Sequence, residues 1–128
     1  MQPNTKRRLG YVITAIPVLF LVFDTVIKLA NIPAVAQSFG DLGFKRNLAL
    51  QLGLIELVLL ILYLVPRTAI LGAVLWTGYL GGAIATHLRL DNPLFSHILF
   101  PIYVAVPLWL GLWLRDRQLR ATLQPRTE

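Results

Sequence analysis

The sequence predicts an all-α, polytopic membrane protein, a bundle of four transmembrane helices with both termini in the cytoplasm. Of its 128 residues, 56% are hydrophobic and only 14% are charged. The mean hydropathy of +0.67 exceeds that of an ordinary soluble domain. The charged residues cluster between long apolar stretches, each near the length of about 20 residues that crosses a bilayer. We therefore expect residues 1–128 to form a single membrane domain.

Four apolar stretches supply the predicted spans, which cover about residues 9–28, 48–65, 69–88 and 95–114. The turn at residues 66–68 is so short that the second and third spans should be antiparallel neighbours. The connection 29–47 carries a short apolar patch that we expect at the membrane interface. A basic tail, 115–128, follows the last span.

The distribution of basic residues predicts the orientation. Four spans place both termini and the 66–68 turn on one side of the membrane. That side carries eight of the twelve Lys and Arg residues: Lys6, Arg7, Arg8, Arg67, Arg115, Arg117, Arg120 and Arg126. The other side carries Lys45, Arg46 and Arg89, with Lys28 at the boundary. Positive charge collects in the cytoplasm, so we expect a multi-pass protein of the plasma (inner) membrane with both termini inside.

Several classes of chemistry are excluded or disfavoured. The absence of cysteine excludes disulfides, thiol redox chemistry and thiolate-ligated clusters within the chain. The sequence contains no phosphate-binding loop, nucleophile elbow or dinucleotide motif, and its histidines lack a metal-ligand spacing, so no metal site is predicted. The net charge of +6 forms no basic stripe on a soluble element, so we expect no nucleic-acid partner. A binding or scaffold role is favoured over an autonomous enzyme.

Small residues recur at four-residue spacing in the third span. Gly78 and Gly82 form one such pair, and Gly81 and Ala85 form another. Pairs of this kind let a neighbouring helix approach closely inside a bilayer. We therefore predict that these four residues pack against another helix.

Ionisable and polar residues inside the spans are candidates for ligand binding or proton exchange, because their burial in lipid is costly unless they face the bundle. Glu56 is expected near the bilayer midplane, and most of the others lie in the outer half. The candidate set is Asp24, Lys28, Gln51, Glu56, His87, Arg89 and His97.

Structural roles compete with this hypothesis. Asp24 and Lys28 are spaced for an i,i+4 ion pair with Lys28 extending to the outer interface. Glu56 has the alternative of a neutral carboxyl that donates a hydrogen bond to another helix. The histidines are also suited to anchoring at an interface, and Arg89 could pair with Asp91 in a loop.

These residues resemble the DoxX-like family of small four-helix membrane proteins over roughly residues 9–117. The resemblance rests on Lys28 closing the first span, Gly43 in the following loop, Glu56 inside the second span, and two segments, 78–89 (GYLGGAIATHLR) and 92–97 (NPLFSH) with Pro101. A few members of the family are associated with quinone-linked sulfur oxidation or oxidative-stress complexes. The resemblance therefore implies a quinone as one candidate ligand.

Two functions from different classes follow. In the first, the chain is a ligand-binding or accessory subunit with a polar site in the outer half of the bundle, linked to a quinone or to redox chemistry. In the second, it is a non-enzymatic scaffold or chaperone-like subunit in which the polar residues join helices. A proton-coupled transporter is disfavoured because four spans are few. The expected partners are the lipid bilayer and either another subunit or a second copy of the chain.

Overall fold

The computed structural model describes residues 2–30, 32–44 and 48–123, and these residues contain helices and no strand. The all-α prediction is confirmed. The helices are α1 (Pro3–Ala30), α2 (Pro33–Asp41), α3 (Leu48–Leu64), α4 (Ala69–Arg89), α5 (Phe100–Arg115) and α6 (Arg117–Leu123). A π-helical turn, Leu94–Ile98, leads into α5.

Four long helices, α1, α3, α4 and α5, form an antiparallel bundle. Each of the neighbouring pairs α1–α3, α3–α4, α4–α5 and α5–α1 is in contact, so the helices make a closed ring. Gly10 meets Gly111 at one end of the α1–α5 pair. The rings of Phe20 and Phe100 lie 5.1 Å apart further along the same pair. These contacts fix the antiparallel direction of α1 and α5.

The tightest core lies in the half of the bundle next to the α3–α4 turn. Tyr63, Trp76, Leu108 and Leu112 are almost completely buried there. The Tyr63 hydroxyl donates a hydrogen bond of 2.6 Å to the carbonyl oxygen of Leu108, which joins α3 to α5 across the bundle. The core of this half is therefore filled with side chains.

Close helix approaches occur at glycines other than those that the sequence indicated. A Cβ atom built on Gly72 would lie 2.5 Å from the backbone nitrogen of Tyr63, and one on Gly10 would lie 2.8 Å from the carbonyl oxygen of Gly111. The α3–α4 and α1–α5 pairs thus depend on Gly72 and on Gly10 with Gly111. An added methyl group there would force the backbones apart.

The packing prediction for the third span is wrong for its three glycines. No described heavy atom of another element lies within 4 Å of a Cβ atom built on Gly78, Gly81 or Gly82. Ala85 is likewise exposed on the surface of α4. The physical reason is the rotation of α4, which turns its Gly72 face toward α3 and leaves the later small residues beside open space.

The helices carry a large outward-facing apolar surface. Ile16, Leu19, Ile61 and Val106 are each more than half exposed. Three segments are long and apolar enough to cross a membrane: Pro3–Ala30, Ala69–Arg89 and Leu94–Arg115. Helix α3 is apolar but has 17 residues, a length of about 25 Å against a hydrocarbon core of about 30 Å. That all four helices cross the membrane, and that both termini lie in the cytoplasm, remain predictions.

Two connecting segments are more ordered than the sequence indicated. In the 29–47 connection, Val35 and Phe39 of α2 are buried and pack with Ala49 of α3. In the basic tail, α6 buries Leu119 in the main core, and the Asp116 carboxylate accepts a 3.0 Å hydrogen bond from the Leu119 backbone N–H. Predicted basic residues Lys45, Arg46 and Arg126 lie outside the described residues.

Candidate functional site

A polar cluster joins three helices in the middle of the bundle. The Lys28 ammonium of α1 donates hydrogen bonds to Asp24 Oδ2 at 2.6 Å and to Glu56 Oε1 of α3 at 2.7 Å. It also donates to the Tyr79 hydroxyl oxygen of α4 at 3.1 Å. The Thr25 hydroxyl donates to Glu56 Oε2 at 3.0 Å. We call Asp24, Thr25, Lys28, Glu56 and Tyr79 the polar cluster.

Local sequence explains how these side chains meet. Asp24 and Lys28 lie one helical turn apart, so both face the same direction. Gly53 lets α1 approach α3, since a Cβ atom at that position would lie only 3.1 Å from the Lys28 Cβ. Glu56 follows Gly53 by three residues and therefore faces the same helix. The Lys28 side chain can then reach the Glu56 carboxylate.

The polar cluster is almost closed to solvent and carries more acid than base. The side chains of Glu56, Lys28 and Asp24 are 1%, 12% and 26% exposed, respectively. With one ammonium and two ionised carboxylates, its net charge is −1. Burying charged groups costs free energy unless the charges are balanced and hydrogen-bonded. Binding one proton would neutralise the excess negative charge of the polar cluster.

A cavity of about 580 Å³ lies between the helices and reaches the polar cluster. Its walls are mainly apolar and include the rings of Phe20, Phe39, Phe44 and Phe100. On the α4 side, Gly78 and Gly82 contribute no side chains to the wall. The cavity lies in the half of the bundle opposite the tightly packed core. Small residues of α4 leave the space open, and α2 forms part of its wall.

Two histidines line the cavity near the ends of α4 and of the π-helical turn. The rings of His87 and His97 meet edge to face with centroids 5.5 Å apart. The Asn92 amide nitrogen lies 2.7 Å from His87 Nδ1, and Ser96 Oγ lies 2.7 Å from His97 Nδ1. An amide nitrogen can only donate, so His87 Nδ1 accepts and its Nε2 carries the hydrogen. His87 is thereby a hydrogen-bond donor through Nε2.

Comparison with protein families now gives an identity at the family level. The model of the DoxX-like family matches residues 12–111. The chain belongs to the DoxX-like family. No curated protein and no solved structure gives a significant match. The family resemblance seen in the sequence is confirmed.

Five of the seven candidate residues of this DoxX-like protein line the cavity, namely Asp24, Lys28, Glu56, His87 and His97. The other two do not. Gln51 is exposed on α3. The Arg89 guanidinium donates to the carbonyl oxygen of Leu42, and its carbon lies 5.9 Å from the centre of the Phe44 ring. Arg89 thus fastens the connection after α2 to the end of α4.

Two of the structural alternatives are corrected by the DoxX-like structure. The ion pair of Asp24 with Lys28 is present, but the extension of Lys28 to the outer interface is wrong. Its ammonium turns back toward Asp24 and Glu56, where three oxygen atoms receive its hydrogens. The loop pair of Arg89 with Asp91 is also wrong, since no ion pair joins them within the described part of the chain.

Sequence reasoning missed Tyr79 and Thr25 of the polar cluster. The signal for Tyr79 was a matching depth, because it follows Ala69 by ten residues and Glu56 precedes Pro66 by ten. Residues at equal distances from a tight turn lie at about the same level in an antiparallel pair. Among the residues that the structure describes, no group of three or more His, Asp or Glu side chains could hold a metal ion.

Proposed function

We propose that this DoxX-like protein crosses the plasma (inner) membrane four times with both termini in the cytoplasm. The family match, the three long apolar helices and the outward-facing apolar side chains support a membrane location. Helix α3 runs antiparallel between α1 and α4, so we place it as the remaining span despite its shorter length. The excess of basic residues at the ends shared by both termini supports the orientation.

We propose further that the chain binds a small, mainly apolar molecule that carries a polar oxygen, such as a quinone. The observation that carries this proposal is the cavity, with apolar walls and a buried polar cluster at its base. Its volume of about 580 Å³ falls in the range of about 300–1,000 Å³ typical of ligand pockets. A few placed polar groups in an apolar wall are the usual means of fixing a ligand's orientation.

Each polar residue has a distinct role in this proposal. Glu56 exchanges a proton, since the excess negative charge of the polar cluster favours uptake of one. His87 Nε2 donates a hydrogen bond to a ligand oxygen near the outer end of the cavity. The chain serves as a ligand-binding or accessory subunit, and a partner subunit or a second copy supplies any chemistry that it lacks.

A single substitution tests the cavity directly. Gly82→Leu should fill the space beside α4 without clash, because nothing lies within 4 Å of its Cβ position. We expect this variant to lose binding of 1,4-naphthoquinone in a titration of the purified full-length protein, with little change in melting temperature. Native mass spectrometry of the parent should also show a co-purifying small molecule that Gly82→Leu lacks.

Gly81→Leu is the matched control. Gly81 has equally open surroundings but does not line the cavity. It should bind the quinone as the parent does. Equal binding by the parent and both variants would rule out the cavity as the binding site.

The alternative function is a scaffold in which the polar cluster only joins helices. It is favoured by one observation, that all three hydrogens of the Lys28 ammonium are taken by protein oxygens. In that case neither the parent nor any variant binds the probe, and substitutions in the cluster change stability alone.

A further inference from the structure

The donors of the polar cluster are almost fully used within the protein. A lysine ammonium has three hydrogens, and those of Lys28 go to Asp24, Glu56 and Tyr79. The Thr25 hydroxyl hydrogen goes to Glu56. Although Lys28 lines the cavity, it has no remaining hydrogen for a ligand.

The Tyr79 hydroxyl differs because it accepts from Lys28 and still has its own hydrogen. The Glu56 carboxylate lies beside this hydroxyl, and the hydrogen bonds of the described residues include none that Tyr79 donates to any other group. Because Tyr79 lines the cavity, its hydroxyl can turn this hydrogen from the Glu56 carboxylate toward an acceptor in the cavity.

The surroundings of Tyr79 keep its hydroxyl in place and accessible. Its ring meets Trp76 edge to face, with centroids 5.4 Å apart. Gly82 and Ala83 follow Tyr79 by three and four residues, the positions that would cover its face of the helix. Both are small and line the cavity, so a ligand can approach the hydroxyl beside them.

We infer that Tyr79 is a ligand-contacting residue that donates a hydrogen bond to a carbonyl oxygen of the bound molecule. This inference rests on the proposed ligand-binding function. It specifies that the ligand has a carbonyl oxygen, which is recognised at the inner end of the cavity. The Lys28 ammonium donates a hydrogen bond to the Tyr79 hydroxyl oxygen. A hydroxyl that accepts a hydrogen bond from a cation is itself a stronger hydrogen-bond donor. A hydrocarbon of the same shape would lack the acceptor for this hydrogen.

The test compares two probes, 1,4-naphthoquinone and naphthalene, on the full-length protein in detergent. Tyr79→Phe retains the ring and removes only the hydroxyl. By calorimetric titration, we expect Tyr79→Phe to weaken naphthoquinone binding about fivefold to tenfold, the effect of one lost hydrogen bond, and to leave naphthalene binding unchanged. Equal weakening of both probes, or of neither, would overturn the assignment of Tyr79.

The outcomes separate this inference from the function on which it rests. If the parent binds neither probe, or if Gly82→Leu binds naphthoquinone as well as the parent does, the proposed function fails and the assignment fails with it. If the parent binds both probes and Gly82→Leu binds neither, only the Tyr79→Phe comparison decides the assignment.

A second measurement covers a Tyr79→Phe protein that does not fold. The infrared spectrum of naphthoquinone bound to His87→Phe, which lacks the other proposed donor, should show a carbonyl stretching band shifted to lower frequency than in detergent alone, together with a shift when the exchangeable hydrogens are replaced by deuterium. A carbonyl band without either shift would contradict a hydroxyl donor at this position.

Discussion

Glu56 is a buried carboxyl that links two helices of the bundle. It is a carboxyl side chain only 1% exposed, and it joins α1 to α3 through hydrogen bonds from Lys28 and Thr25. A buried charge pair contributes little net stability while it is intact, but removing one partner is costly because the other charge stays buried. Its substitution should therefore affect stability strongly.

Glu56→Gln should destabilise the protein by about 1–3 kcal/mol, because the amide NH2 group replaces one of the two oxygens that accept from Lys28 and Thr25 and cannot accept in its place. Asp24→Asn is the matched control. Asp24 is more exposed than Glu56, at 26% against 1%, and its replacement leaves the Lys28–Glu56 pair intact, so the effect should be smaller. Thermal unfolding in detergent measures both. A larger loss for Asp24→Asn would contradict the central role of Glu56.

Glu56→Gln also separates a proton-exchanging residue from a purely structural one. If Glu56 exchanges a proton, naphthoquinone binding to the parent depends on pH and binding to Glu56→Gln does not. If Glu56 serves only as a hydrogen-bonding link, the two proteins show the same pH dependence. The measurement requires Glu56→Gln to retain its helical circular dichroism.

Part of this site could be predicted from single residues. Asp24, Lys28, Glu56 and the two histidines were candidates because ionisable groups inside apolar stretches must face one another or a cavity. The inward turn of Lys28 and its contact with Tyr79 could not be predicted. Both depend on how far each helix is rotated about its own axis. The sequence indicates this rotation only weakly, through Gly53, which marks the face of α3 that meets α1.

At the scale of helices, glycine has two opposite uses in this bundle. Gly72 admits the backbone of α3, whereas Gly78 and Gly82 leave space for the cavity. The four-residue spacing in the third span predicted packing, but spacing alone does not distinguish a face that meets a helix from one that meets a cavity. The bounds of α3 and α4 were better predicted, because apolar length and the 66–68 turn fix them locally.

Gly72→Ala should destabilise the protein, whereas Gly78→Ala should not. The added methyl at Gly72 would lie 2.5 Å from the backbone nitrogen of Tyr63, so we expect a loss of about 1–3 kcal/mol from overpacking. At Gly78 the methyl meets nothing within 4 Å, and the higher helix propensity of alanine should leave stability unchanged or raise it by up to about 1 kcal/mol. Equal melting temperatures for the two variants would show that the α3–α4 pair does not depend on Gly72.

At the scale of the whole molecule, the charge distribution and the bundle agree. The start of α1, the α3–α4 turn and the end of α5 lie at one end, where Lys6 and Arg120 both lie over the Trp113 ring. Arg115 lies over the Tyr63 ring at the same end. Basic and aromatic side chains together are typical of a membrane interface. The antiparallel bundle thus gathers the basic residues that were dispersed along the sequence.

The orientation and the number of spans can be tested together with single cysteines, because the parent chain has none. We choose Thr5 near the N-terminus, Gly40 on α2 and Gln118 on α6, which are all exposed. An impermeant maleimide added to right-side-out membrane vesicles should label Gly40→Cys, while Thr5→Cys and Gln118→Cys should react only after the vesicles are permeabilised. Labelling of Thr5→Cys and Gln118→Cys but not Gly40→Cys would reverse the orientation and preserve the even number of crossings. Different accessibility of Thr5→Cys and Gln118→Cys would mean an odd number of crossings, which would contradict the four proposed spans.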